Sequence, residues 1–321
     1  MKKEDVRIVF MGTPEFAIPT LEAIVKSGYN VVGVITAPDR QSGRGRKVRM
    51  SAIKEYALEN NLNILQPTNL KDENFLLELK SLQANLQVVV AFRMLPKSVW
   101  SMPELGTFNL HASLLPQYRG AAPINYAIIN GDTKTGLTTF FLDEEIDTGK
   151  IIDQYEVEIN YNDNVGTLHD RLKNLGGELV LRTIDKIINK SVKLIDQKST
   201  NEKLRPAPKL FKENCRINWE KPSKEIYNFI RGLSPYPAAF STLVSDDYDS
   251  IITKIYEVKI VTEEKSEMKP GSIITDGRTY INVVTGYGIL GIIELQLAGK
   301  KRMSIIDFLR GFNKIDKFRF N

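Results

Sequence analysis

"RIVFMGTPEFAIPTLEAIVKSGYNVVGVIT", residues 7–36, starts on one apolar run, breaks at Gly12-Thr13-Pro14 and ends on a second apolar run. Both runs (7–11 and 31–36) are short, rich in β-branched residues and free of polar alternation, which predicts strands covered on both faces. Between them Pro14 stands in the first turn of a helix, Phe16, Leu21, Ile24 and Val25 offer an inner face, and Gly28 marks the stop. Strand, helix, strand at this spacing is the repeating unit of a parallel sheet.

The same pattern recurs outward from it. "QVVVAF" (87–92), "TFNL" (107–110), "LTTFFL" (137–142) and "IIDQYEVEI" (151–159) read as further strands, and "TLHDRLKNLGGELVLRTIDKIIN" (167–189) as a long amphipathic helix. Residues 1–190 are therefore expected to form a doubly wound, mainly parallel, Rossmann-like α/β domain. Residues 191–211 are polar, basic and proline-containing, as a linker would be. Beyond them the class changes. After a helical "PSKEIYNFIRGL" (222–233) come short strands at 239–244, 251–261, 271–275, 279–285 and 289–297, split by turn signals such as Asp276-Gly277. Residues 212–321 thus predict a small β-barrel, with an OB-like barrel as one option.

Composition narrows the function classes. The 321 residues carry a net charge of +5, with 42% hydrophobic and 26% charged residues, as in an ordinary globular protein. No apolar run approaches the ~20 residues needed to span a bilayer, so no membrane partner is expected. The start, "MKKEDVRIVFMG", meets acidic residues at once and does not read as a signal peptide. The single Cys215 excludes an internal disulfide and fits a reducing cytoplasm, the expected location. With 2 histidines and 1 cysteine a zinc site would need mostly carboxylates, so no metal is expected.

Chemistry concentrates in "FNLHASLLPQYRGAAP" (108–123). If "TFNL" is a strand, Asn109 and His111 lie two apart on one face, at the carboxyl end of the sheet where open α/β folds build ligand crevices. An amide can donate to an oxyanion, and an imidazole can give or take a proton near neutrality. A satisfied strand-end histidine is the plainer alternative. "FLDEEIDTGKII" (141–152) then brings Asp143, Glu144, Glu145 and Asp147 past a turn at Thr148-Gly149. The first three suit a solvated loop. Asp147, directly before the turn, could return to the sheet edge and orient and charge His111.

These stretches resemble the folate-dependent formyltransferases. The resemblance rests on "NLHASLLPQYRGAAPINYAIINGDTKTGLT" followed by "DTG", on "FMGTPEFAIPTLEAI" and "APDRQSGRGRKVR" in the first half, and on "SPYPAAF" and "LQLAGKKRM" in the second. It covers nearly the whole chain and implies Asn109, His111 and Asp147 as the catalytic trio. It further implies folate contacts from Ser113, Leu114, Leu115 and Pro116, and a pteridine pocket lined by the backbone around Ala91, Phe92, Leu95 and Pro96. The implied donor is 10-formyltetrahydrofolate, and the implied acceptor is initiator methionyl-tRNA for translation initiation. Two departures bear on the pocket: Phe92-Arg93 stands where the family usually has Tyr-Gly, and "DEEID" lacks a glycine common before the aspartate.

The basic loop "RQSGRGRKVR" (40–49) has five positive charges and no acidic residue. On its own it could be a solvated face. Its arginines can also grip phosphates or stack on bases, and the resemblance implies that Arg44, supported by Arg46 and Lys47, contacts tRNA. Lys198, Lys203, Arg205, Lys209, Lys300, Lys301 and Arg302 would extend a basic track. His169 reads as a helix-surface residue and Cys215 as inert, and the chain is expected to act as a monomer. Three alternatives stay open at this point. A formyltransferase for a small amine would need neither loop nor barrel. A nucleotide-cofactor oxidoreductase would be expected to carry the Gly-x-Gly-x-x-Gly fingerprint, which Gly12-Thr13-Pro14 lacks. A non-catalytic RNA-binding module would leave the trio without a purpose.

Overall fold

In the computed structural model, which describes residues 1–42, 47–197 and 203–321, the stretch 7–36 forms β1 (Arg7–Gly12), a 3-10 turn, α1 (Ile18–Lys26) and β2 (Asn30–Ile35). β1 and β2 pair in parallel. On the inner side of the helical segment Phe16, Ala17, Thr20, Leu21 and Ile24 are buried, while Val25 is only half-buried. Two short strands, β3 (Arg40–Ser42) and β4 (Lys47–Arg49), pair antiparallel on either side of residues 43–46. The chain continues through α2 (Ala52–Glu59), β5 (Ile64–Leu65), α3 (Glu73–Ser81), β6 (Leu86–Val90), α4 (Lys97–Trp100) and β7 (Thr107–His111). Ser51 and Asp72 cap α2 and α3 by accepting from Lys54 N and Phe75 N.

After α5 (Pro123–Ile129) come β8 (Lys134–Phe141), β9 (Ile151–Glu158) and α6 (Val165–Ile188). The sheet order is β5-β2-β1-β6-β7-β8-β9. It is parallel from β5 to β7, and β8 runs antiparallel to β7. This is the doubly wound, mainly parallel sheet that the sequence predicts. The paired glycines inside α6 have a packing reason. A Cβ on Gly177 would meet Ala23 Cβ at 2.8 Å, and one on Gly176 would meet Leu110 Cδ2 at 2.8 Å. The pair lets α6 lie directly against α1 and β7, at the usual propensity cost of ~1 kcal/mol per glycine.

The C-terminal part holds α7 (Ser223–Leu233), β10 (Ala239–Val244), β11 (Ile251–Thr262), β12 (Ile273–Thr275), β13 (Ile281–Val284) and β14 (Ile289–Leu297). β15 (Met303–Ser304), α8 (Ile305–Gly311) and β16 (Arg319–Phe320) finish the chain. The strand order is β12-β13-β14-β11-β10-β16, with β15 on β14. Phe320 N donates to Gly271 O just ahead of β12 (2.9 Å), so the two ends of the path nearly meet and form a small antiparallel barrel. Its core includes Trp219, Ile230, Leu243, Ile255, Leu290 and Phe308.

Packing groups the chain into one unit of Met1–Gly120, Thr135–Glu158 and His169–Pro206, and a second of Ala121–Lys134, Ile159–Leu168 and Ala207–Asn321. Two stretches that the sequence places in the first domain thus group with the C-terminal residues. Their contacts explain it. Asn125 Nδ2 donates to Gly232 O (2.8 Å), Gly232 has no room for a Cβ beside Ile129, and Arg231 donates to Asp163 O (2.8 Å). The stretch read as a linker also holds structure, since Ile195 bridges Ile151 in the first unit.

Candidate active site

β7 places the two residues singled out in the sequence. Phe108 and Leu110 are buried, Asn109 is half-buried and His111 is 7% exposed. Each nitrogen of the His111 ring faces an oxygen. Nε2 lies 2.9 Å from the Tyr118 carbonyl oxygen, and Nδ1 lies 3.8 Å from Asp147 Oδ2. A carbonyl oxygen only accepts, so Nε2 carries the proton there and Nδ1 is the nitrogen turned to the carboxylate. At 3.8 Å that contact is an ion-pair distance and too long for a hydrogen bond. The group that orients the imidazole is therefore the Tyr118 backbone. Asp147, expected from the sequence to orient and charge the ring, lies at ion-pair distance from Nδ1 and makes no hydrogen bond to it. Among the described residues nothing takes the side-chain amide of Asn109, which leaves its N–H donors available.

Asp147 reaches this position through an unusual local backbone. Its φ is +57°, a left-handed conformation that costs a non-glycine residue about 1 kcal/mol or more unless the surroundings hold it. Ala91 (φ +47°) and Tyr118 (φ +61°) share that conformation. Gly120 N donates to Asp147 Oδ2 (2.9 Å). Gly149 is required by space, since a Cβ there would lie 1.7 Å from Phe141 O. That close approach seats the Asp147-Thr148-Gly149 turn on the end of β8. The other acids of the loop go elsewhere. Asp143 accepts from Thr148 Oγ1 (2.7 Å), Glu145 is exposed, and Glu144 pairs with Lys97 at 2.6 Å, which holds its carboxyl below the usual range.

The residues expected at the folate divide into two sets. Ser113 and Leu115 are buried and hold the loop: Ser113 Oγ donates to Gln117 O (2.7 Å), and Leu115 N donates to Thr138 Oγ1 (3.1 Å). Leu115 packs with Phe140 and Ile151, and Leu95 lies in the core beside Val9, Val89 and Val99. Ala91 is exposed, and Phe92, Pro96, Leu114 and Pro116 are half-buried, so these five keep surface for a ligand. Arg93 turns onto a neighbouring turn, donating to Thr68 O (2.9 Å) and to Pro67 O, with its guanidinium 5.7 Å from the Phe92 ring centre.

Arg44 and Arg46, and also Lys198, fall outside the described residues, and of Lys47 only the backbone in β4 is described. The base of that loop is braced by Asp39, which accepts from Lys54 Nζ (2.6 Å) and Gln66 Nε2 (2.9 Å); the Lys54 bond keeps its carboxyl low. Arg205 covers the Tyr118 ring at 4.8 Å and Lys209 lies over Phe211. Lys203, Lys300 and Lys301 are exposed, whereas Arg302 is paired with Glu294 and stacked on Tyr256. His169 pairs with Asp170 on the helix surface, and Cys215 is buried, which raises its thiol pKa. No helix among the described residues is long and apolar enough to cross a membrane. Three residues around the site carry no mark in the sequence: Tyr118, whose backbone carbonyl meets His111, and Arg119 and Gln197, which bond to each other beside Asp147. Nothing in their residue types marks them out.

The family profile described as formyl transferase matches residues 6–184, and that of the formyl transferase C-terminal domain matches residues 209–313. A methionyl-tRNA formyltransferase of Bacteroides thetaiotaomicron is 57% identical over 100% of both chains. Another from Phocaeicola vulgatus is 59% identical over 98% of each. Among solved structures, an N-formyltransferase from Helicobacter canadensis, in complex with folinic acid and dTDP-3-aminofucose, aligns with a TM-score of 0.65. It is 22% identical, covers 93% of this chain and 100% of its own, and shares the fold. An imidazole fixed by a backbone carbonyl, a carboxylate at its second nitrogen and an unused amide beside it thus occur on a chain matched end to end by such relatives. The chain belongs to the methionyl-tRNA formyltransferase family.

Proposed function

We propose that this chain moves the formyl group of 10-formyltetrahydrofolate to the α-amine of methionyl-tRNA, with His111, Asn109 and Asp147 at the reacting carbon. One observation carries this reading. The Tyr118 carbonyl occupies Nε2 of His111, which leaves Nδ1 facing Asp147 on the strand face that also presents the unpartnered Asn109 amide. The amine lone pair attacks the formyl carbon, and the carbonyl oxygen becomes an oxyanion. Asn109 N–H and the protonated Nδ1–H of His111 donate to it, each such donor supplying ~3–4 kcal/mol. The bond from carbon to the folate nitrogen then breaks, that nitrogen takes a proton, and the amine loses one. Asp147 Oδ1 takes no partner among the described residues and is placed to accept the amine proton and pass it to the folate nitrogen as that bond breaks. Before it takes that proton, its negative charge lies 3.8 Å from Nδ1 and attracts the protonated ring.

Nucleic-acid binding has separate support. The second unit contains a cleft of about 320 Å³ lined by Tyr161, Tyr227, Arg231 and Lys259. Tyr161 and Tyr227 stack with ring centres 5.4 Å apart, and Lys224 lies 4.7 Å over the Tyr161 ring. Tyr227 is buried, so the exposed Tyr161 ring beside the Lys224 cation is the face that suits a nucleic-acid strand.

Acceptor choice tests the function. Formyl transfer to initiator methionyl-tRNA should far exceed transfer to elongator methionyl-tRNA, free methionine or an amino-sugar nucleotide. Preference for either small amine would overturn the reading. A salt series tests the basic loop. Replacing Arg44, Arg46 and Lys47 together by Ala should weaken tRNA binding without changing folate binding. Each phosphate contact removed should lower the slope of log Kd against log salt by about one. An arginine that instead contacts bases should cost affinity with little change in slope. Unchanged tRNA binding and formylation would make the loop a solvated charge run.

A further inference from the structure

A buried amide far from the trio in sequence closes a ring of hydrogen bonds around Asp147. Gln197 is 3% exposed. Its Oε1 accepts from Arg119 Nε (3.0 Å) and Nη2 (2.7 Å). Its Nε2 donates to Asp147 O (3.1 Å) and Gly149 O (2.6 Å). All four positions of the amide are therefore filled. Its orientation is unambiguous, because a guanidinium only donates and carbonyls only accept. Asp147 Oδ2 in turn accepts from Gly120 N (2.9 Å), the residue after Arg119. The path runs from the Arg119 side chain through Gln197 to the Asp147 backbone, then through the Asp147 carboxylate back to the backbone beside Arg119.

We propose that Gln197 is a positioning residue that sets the distance between Asp147 and His111. The two loops in this ring carry the two groups that face the imidazole: the Tyr118 carbonyl lies one residue before Arg119, and Asp147 lies on the other loop. Gln197 grips the carbonyls on both sides of Thr148, across the left-handed turn at Asp147 that needs external support. Only an amide can do this. A carboxylate would keep the Arg119 contacts but set an oxygen against two carbonyl oxygens. A methionine of similar shape would leave the guanidinium and both carbonyls without partners.

The inference rests on the catalytic reading of Asp147, and the test separates the two. Gln197→Glu and Gln197→Met are compared with wild type, Asp147→Asn and the double variants, with kcat and both KM values measured. A loop displaced by a fraction of an ångström to about 1 Å should lower kcat by about 10- to 100-fold. KM for 10-formyltetrahydrofolate and for methionyl-tRNA should stay within about threefold, since Gln197 is buried and its amide is fully used within the protein. In the Asp147→Asn background either Gln197 change should cost little more, because the carboxylate it positions is gone. Should a Gln197 variant lose its folded circular-dichroism signal, Arg119→Met tests the same ring, and the same kcat loss is expected. Wild-type kcat in the folded variants, or losses that multiply with that of Asp147→Asn, overturns the positioning role. Wild-type kcat in Asp147→Asn itself overturns the catalytic reading beneath it.

Discussion

His111→Ala and Asn109→Ala are each expected to lower kcat by about 10²-fold or more while tRNA affinity stays near wild type. Both side chains sit on β7 beside the position proposed for the formyl oxygen, and neither supports the fold in a way that Ala would destroy. Removing the imidazole takes one donor from the Tyr118 carbonyl, and removing Asn109 breaks no internal hydrogen bond among the described residues. The two losses should combine to less than their product if both donate to the same oxyanion, because groups acting as a unit are not additive. Steady-state kinetics with tRNA binding measured separately decide it. Near-normal turnover in either variant removes that residue from the mechanism.

Asp147→Asn is expected to cost about 10²- to 10³-fold in kcat across pH 6 to 8, with folding intact. An asparagine can still accept from Gly120 N through its one oxygen, so the turn is kept. That oxygen is also the atom 3.8 Å from Nδ1 of His111, so the contact stays in place but loses its negative charge. A neutral amide oxygen attracts a protonated imidazole far less than a carboxylate does, so the variant weakens the form that donates to the oxyanion. The corresponding change in serine-protease triads costs about 10⁴, there by fixing the wrong tautomer. The longer 3.8 Å separation here argues for a smaller loss. Glu144→Gln is the control. It breaks an exposed pair with Lys97 of the kind worth about 0–1 kcal/mol, and kcat should not change. If Glu144→Gln were the inactive variant and Asp147→Asn active, the assignment within the acidic loop would be wrong.

The sheet was legible because its strands are continuous apolar runs, and a run such as "QVVVAF" has few other uses in a chain of this composition. Short edge elements were not. β5 has two residues, and β15 and β16 are also two residues each, too few for any periodicity to appear. The grouping of 121–134 and 159–168 with the C-terminal residues was hidden as well. It depends on side-chain-to-backbone bonds from Asn125 and Arg231, residue types that suit a helix surface equally well. Within the site, Asn109, His111 and Asp147 could be picked out because a strand period and a Thr-Gly turn place them. The Tyr118 carbonyl could not, since backbone atoms leave no mark in a sequence. Gln197 was masked by its neighbours, in a polar, basic stretch that reads as a linker. Gly149 was visible as part of "DTG", but its reason, the contact with Phe141 O, is a property of the folded turn.

His111, fixed through Nε2 and facing Asp147 through Nδ1, is proposed to promote the chemical step of formyl transfer. The most direct measurement is single-turnover transfer of an isotopically labelled formyl group from 10-formyltetrahydrofolate to initiator methionyl-tRNA, with enzyme and both substrates saturating. Wild-type protein should place the label on the methionyl α-amine and release one tetrahydrofolate per formyl group. His111→Ala should slow that single turnover by about 10²-fold or more at unchanged occupancy of both substrates. A single-turnover rate in His111→Ala equal to that of wild type, or no labelled formyl-methionyl-tRNA from wild type, would contradict the account.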